Sequence, residues 1–144
     1  NPTLGIFASD GATTTHSSDI HQNLPGTNIL IDAYAANGEG TPINNAGLVA
    51  FQASDNNLVN YGIYVGDGAS TTQIVHVGQT LFGKTVKGFD LGRDGINDLG
   101  QVTFSVTFTD NTAAIVRTSG VPEPASLSLL ALVLVPLFSR RRAS

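Results

Sequence analysis

The sequence predicts an all-β fold, with repeated antiparallel sheet modules over residues 1–120 and a short C-terminal hydrophobic helix within residues 121–144. Three observations carry this expectation. The body repeats itself at an offset of 53 to 57, its apolar positions alternate with a period of two, and its turns carry Asp-Gly. The segment 121–144 shares none of these features and forms a nearly unbroken apolar run that ends on arginines.

The repeat comes first because it sets the architecture. A shift of 57 lays Gly5–Gly26, GIFASDGATTTHSSDIHQNLPG, on Gly62–Gly83, GIYVGDGASTTQIVHVGQTLFG, without a gap and with ten identities in 22 positions. A shift of 53 lays INNAGLVAF, residues 43–51, on INDLGQVTF, residues 96–104. A weaker match puts Ala114-Ile115-Val116 under Gly62-Ile63-Tyr64. Two ungapped blocks in the same order define a unit present in about two copies.

Each unit reads as strands. Val102, Phe104, Val106 and Phe108 alternate with Thr103, Ser105, Thr107 and Thr109, the period of a strand with one face buried and one hydroxylated. Leu48–Ala53 is apolar on both sides apart from Gln52, which predicts a more deeply buried strand. Ile63–Val65 and Ile74–Val77 form two short strands joined through Gly66-Asp67-Gly68, where Asp-Gly supplies the positive φ of a tight hairpin. Phe89–Leu91 adds a further strand, and Asp94-Gly95 reads as a hairpin or inter-module turn. Three or four strands in about 50 residues suit a propeller blade, and two blades do not close a ring. The expectation is a partial β-propeller, with a small β-sandwich of the two copies as the alternative. The chain opens on Asn1 with no basic segment and apolar core of a signal peptide, so a leader and further repeats are expected outside it.

Composition narrows the function classes. There is no cysteine, hence no disulfide, thiolate nucleophile or thiolate-held metal. Residues 1–120 carry four basic side chains (Lys84, Lys87, Arg93, Arg117) against ten acidic ones, a balance of −6 that argues against nucleic-acid binding. His16 and His21 stand five apart, a spacing that suits neither a helical zinc pair nor alternate strand positions, and they face Gln73 and Gly78 in the repeat. With His76 they read as solvated loop or strand-edge residues. Asp90, Asp94 and Asp98 partly match an oxygen-ligand calcium loop, although Gly92 supplies no ligand and Arg93 opposes a cation. No Gly-x-Ser-x-Gly occurs, and no catalytic residue, cofactor or resident metal is expected.

The tail reads VPEPASLSLLALVLVPLFSRRRAS. Between Glu123 and Arg140 no residue is charged, a span of 16 residues. As a helix this covers about 24 Å, a little short of a bilayer core of about 30 Å. Arg140, Arg141 and Arg142 then hold the C-terminus on the cytoplasmic side and mark a membrane stop. The order Pro122-Glu123-Pro124, apolar helix, arginine cluster resembles the PEP-CTERM sorting domain of Gram-negative bacteria, over residues 121–144. The body segments INNAGLVAF, GIYVGDG, VGQTLFG and INDLGQVTF also resemble a repeat of exported bacterial proteins with β-rich, propeller-like modules and no established enzymatic activity.

The resemblance implies a partner, an exosortase-type enzyme that recognises Pro122, Glu123 and Pro124 and cuts nearby. It implies anchoring in the inner membrane before processing, then a place at the cell surface or in an exopolysaccharide matrix. The body would be structural or adhesive. The alternatives are a secreted glycan- or ligand-binding module and a fragment of a larger enzyme.

Overall fold

A computed structural model of the chain describes residues 4–34 and 41–120. Among these residues there are twelve strands and no helix. In chain order they are β1 (Gly5–Ser9), β2 (Thr14–Asp19), β3 (Gln22–Asn23), β4 (Leu30–Ile31), β5 (Ala33–Tyr34), β6 (Val49–Ser54), β7 (Gly62–Gly66), β8 (Thr71–His76), β9 (Thr80–Leu81), β10 (Lys84–Ile96), β11 (Val102–Phe108) and β12 (Ala113–Arg117). All pairings are antiparallel. Two four-stranded sheets run β5-β6-β7-β8 and β12-β11-β10-β9, and β1-β2 and β3-β4 form two-stranded ribbons. Strands that are neighbours in sequence are neighbours in space, the usual outcome of short connections.

The sequence repeat is a structural repeat. The β1–β2 ladder pairs Gly5 with Asp19, Ile6 with Ser18 and Phe7 with His16, slipping between Ile6 and Phe7. The β7–β8 ladder pairs Gly62 with His76, Ile63 with Val75 and Tyr64 with Gln73, slipping between Ile63 and Tyr64. Each of these numbers differs from its counterpart by 57, the bulge included. A glycine opens both ladders for a steric reason. A Cβ at Gly5 would lie 2.9 Å from the Ser18 carbonyl oxygen, and one at Gly62 would lie 2.6 Å from that of Val75. The hairpin tips also agree: Gly11 and Gly68 have φ of 90° and 91°. Asp10 N–H donates to Thr13 O as Asp67 N–H donates to Ser70 O, both at 3.3 Å.

The shift of 53 is equally literal. Asn44 Oδ1 accepts from the N–H of Ala46 and of Leu48, and Asn97 Oδ1 accepts from those of Leu99 and Gln101. Gly47 and Gly100, at φ of 81° and 68°, finish these turns. Asparagine suits the position because its short amide can satisfy backbone donors two and four residues on. The bridge between Ile43 and Val49 then matches the pair Ile96–Val102.

Two apolar clusters hold the sheets face to face. Leu24, Ile31, Val49, Phe51, Ala53 and Tyr64 form one, against Ile6 and Ala8 of β1. Ala50, Ile63, Val65 and Val75 join Val86, Leu91, Val102, Phe104, Val106 and Phe108 in the other. The middle sheet thus buries both faces, which is why every residue of β7 is buried and β6 is buried through Ala53. In β11 burial alternates strictly, with Thr103, Ser105 and Thr107 exposed, as the period of two predicts.

Three sequence expectations need correction. Asp94-Gly95 is not a turn but part of β10, which runs from Lys84 to Ile96 rather than over Phe89–Leu91 alone. Its ladder with β11 breaks between Leu91 and Ile96, opposite Phe104 and Val102, so Gly92–Gly95 form an outward bulge. Glycine suits position 95 because a Cβ there would lie 2.9 Å from the Gly92 carbonyl oxygen and 3.2 Å from that of Thr103. The chain reverses at Asn97–Gly100 instead. The strand expected at Ile74–Val77 also starts earlier, at Thr71. The C-terminal helix expected within 121–144 lies outside the described residues.

Candidate functional site

A groove of about 540 Å³, lined by both polar and apolar side chains, opens where the two-stranded ribbon β1–β2 meets the first asparagine turn. Ala8, Ser9, Asp10, Thr13, Thr15 and Ser17 form one wall, and Ile43–Gly47 with Asp67 form the other. The hairpin β1–β2 puts its hydroxyls on this wall because its tip is locked by Asp10. Asp10 Oδ1 accepts from Thr13 N–H at 2.7 Å and Ala12 N–H at 2.9 Å. Asp67 Oδ1 does the same for Ser70 at 2.8 Å and Ala69 at 2.9 Å. These backbone donors, Thr13 first for Asp10 and Ser70 first for Asp67, hold both carboxyls below the ordinary value of 3.8. Both are therefore ionised at neutral pH, and the groove is negative and hydroxyl-lined.

On the far side of the turn the copies touch through equivalent residues. Asn44 Nδ2 donates to Asn97 O at 3.0 Å, while the Asn45 N–H and Nδ2 donate to the two Asp98 carboxylate oxygens at 2.9 and 2.7 Å. Donors come from one copy and acceptors from the next. The contact is therefore directional rather than reciprocal.

These carboxylates have a measurable pH consequence. A carboxyl depressed in the folded state adds stability above its unfolded value and loses it as pH falls through its folded value. Asp110 is held down in the same sense, by Lys84 Nζ at 2.8 Å first and then by Thr112. Thermal melting is thus expected to be flat near neutrality and to fall once pH drops below 3.8. Melts of Asp67→Asn across that range should show a shallower acid decline than the unmodified chain.

The sequence-predicted candidates take other places. His16 Nε2 lies 2.9 Å from Asp19 Oδ1, with its ring against Phe7 at 5.0 Å between centroids. His21 Nε2 lies 3.7 Å from Asp32 Oδ1. His76 Nδ1 lies 2.9 Å from the Val77 carbonyl oxygen. Each histidine thus has its own partner. Asp90 sits opposite Ser105 in the β10–β11 ladder, Asp94 in the bulge, and Asp98 in the contact with Asn45. Among the described residues no three His, Asp or Glu side chains converge as a metal site. Pro122, Glu123, Pro124 and Arg140–Arg142 lie outside the described residues. Among those described, no helix is long and apolar enough to cross a membrane.

Sequence reasoning did not single out Asp10, Asn45 or Asp67 as site residues. A signal was present, since the aligned segments GIFASDG and GIYVGDG put Asp10 over Asp67, and the shift of 53 puts Asn45 over Asp98.

Residues 63–128 match the model of a Family of unknown function (DUF7453), somewhat less than half of the chain. The match begins in β7, runs through β8–β12 and ends just past Pro124. No curated protein and no solved structure matches the chain.

Proposed function

We infer that this chain is an exported surface or extracellular-matrix protein whose segment 121–144 is a PEP-CTERM-type sorting and processing signal. The observation that carries the reading is the order of that segment: Pro122-Glu123-Pro124, an uncharged apolar stretch, then Arg140–Arg142. Proline disfavours helix and restricts the residue before it to extended backbone, a chemistry that suits a motif read by an enzyme. Glu123 is a single negative charge at the outer boundary of the membrane, suited to a basic pocket in an exosortase-type enzyme. The arginines hold the far end in the cytoplasm until cleavage.

The body is read as propeller-like modules. The β5-β6-β7-β8 meander, its face-to-face packing on β12-β11-β10-β9 and the directional contact between copies support that reading. The role is structural or adhesive within an exopolysaccharide setting. A second reading, a glycan-binding module, is favoured by the groove between β1–β2 and Asn44, whose lining of hydroxyls, amides and carboxylates can hydrogen-bond a sugar.

Mass spectrometry of the surface-exposed protein from its native host tests the sorting reading. The mature chain is expected to end near Pro124, and Glu123→Ala is expected to leave it in the inner membrane. Surface protein that still carries Arg140–Arg142, or normal delivery of Glu123→Ala, would falsify it.

A further inference from the structure

Two bulky apolar residues stand where the backbone does not favour them. Leu58 has φ of 57° and Phe82 of 54°, in the left-handed region that glycine and asparagine enter readily and large side chains rarely do. The repeat supplies a comparison. Leu58 N–H donates to Asp55 O as Asn111 N–H donates to Phe108 O, and each residue differs from its counterpart by 53. Asn111, at φ of 63°, is the kind of residue such a turn prefers, yet the earlier copy has leucine. Phe82 and Gly83, both at positive φ, join the paired Leu81 and Lys84. They make a two-residue hairpin turn whose favoured sequence is Asn-Gly. Packing does not offset the strain. Leu58 and its neighbour Val59 are 62% and 65% exposed, and Phe82 is 71% exposed.

Both turns are at one end of the packed sheets. Val77 N–H donates to Tyr61 O and Gly78 N–H to Val86 O, which sets the loop 55–61 beside the base of the β9–β10 hairpin. The contacts of Asn44 with Asn97 and of Asn45 with Asp98 mark the other end, where Gly120 lies beside Leu99 as the chain leaves the described residues. The loop is held in place: Asn60 N–H and Nδ2 donate to the two Asp55 carboxylate oxygens at 3.3 and 2.9 Å.

We propose that Leu58, Val59 and Phe82 insert into a lipid surface of no net charge, at the end of the body away from residues 121–144. Strain kept at an exposed site points to a contact outside the fold. Three side chains on two turns offer well under the roughly 800 Å² per partner that a stable protein interface buries. Lipid needs no matching shape, only apolar groups that reach below the headgroups from a polar collar. Asn56, Asn57 and Asn60 supply the collar at one turn, and Lys84, paired with Asp110 at 2.8 Å, supplies it at the other. The balance of −6 over residues 1–120 disfavours an anionic surface. The placing of this end away from an anchor rests on the proposed sorting tail; the insertion itself does not.

The test reconstitutes the full chain into phosphatidylcholine vesicles and adds fluorescent, protein-free vesicles of the same lipid. Flotation of the chain with the first vesicles tests the anchor, and co-sedimentation of the second vesicles with the first tests the insertion. Capture of the second vesicles is expected. Leu58→Asn and Phe82→Asn should each weaken it about tenfold, while Leu99→Asn at the other end leaves it unchanged. Asparagine suits both positions, so urea midpoints at or above that of the unmodified chain separate lost capture from lost folding. If the chain does not float, the anchor reading fails, and the same variants are compared by titrating vesicles into the chain in solution. No capture, or equal capture by the unmodified chain and both variants, overturns the proposal. Clustering of the protein-bearing vesicles alone also overturns it and gives this end to a second copy.

Discussion

Phe51→Ala is expected to lower the unfolding free energy by about 4 kcal/mol, the middle of the range for removing a buried aromatic ring. Phe51 is 2% exposed in β6, an inner strand of the sheet that buries both faces. Its ring stacks on Tyr64 and meets Tyr34 edge-on, each at 5.9 Å between centroids. The neighbours cannot close on the space left behind. Tyr64 is fixed by its hydroxyl, which donates to Asn60 O at 2.6 Å and accepts from Gln73 Nε2 at 3.0 Å. Small domains have only about 5–15 kcal/mol to lose, so this one change removes much of the fold's margin. Urea unfolding followed by circular dichroism measures it, with Leu99→Ala, 73% exposed, as the near-neutral control. A loss under about 1.5 kcal/mol would mean that the two aromatic neighbours do not enclose Phe51 as described.

The second large effect belongs to the turns. Asn44→Ala is expected to cost about 3 kcal/mol and Asn97→Ala about 1 kcal/mol, although the two side chains accept the same pair of backbone bonds. The difference lies in burial. Asn44 is 8% exposed, so the N–H groups of Ala46 and Leu48 lose a partner that water cannot easily replace. Asn44→Ala also removes the bond from Nδ2 to Asn97 O between the copies. Asn97 is exposed, and water reaches the groups it leaves behind. Equal losses in paired denaturation curves would contradict this account of the interface.

Much of this fold was legible because the signals were local. The alternation from Val102 to Phe108 gave β11 its burial pattern, and Asp67-Gly68 gave its hairpin. The matched blocks foretold matched registers, down to the bulge after Ile63. What local chemistry missed was decided by packing. Asp94-Gly95 has the composition of a turn, yet Asn97 satisfies four of its neighbours' backbone groups and captures the reversal just beyond. Gly95 then serves a close approach to the Gly92 and Thr103 carbonyls rather than a positive φ. The groove was hidden for another reason. Asp10, Asn45 and Asp67 are each ordinary turn residues, and only the stacking of one copy on the next sets them around one space. The proposed sorting signal rests on sequence alone, in the order Pro122-Glu123-Pro124, apolar stretch and Arg140–Arg142.

The meander order of the sheets also bears on how the chain reaches its final state. Every ladder joins segments that follow one another, the longest reach being from Val86 to Phe108. Short loops close at small entropic cost, and topologies of this kind reach their transition state quickly. A polypeptide threaded through a membrane from its N-terminal side could therefore complete each sheet as it emerges. The earlier sheet would then present a finished apolar wall for the next to form against, and assembly would proceed copy by copy in the direction of delivery.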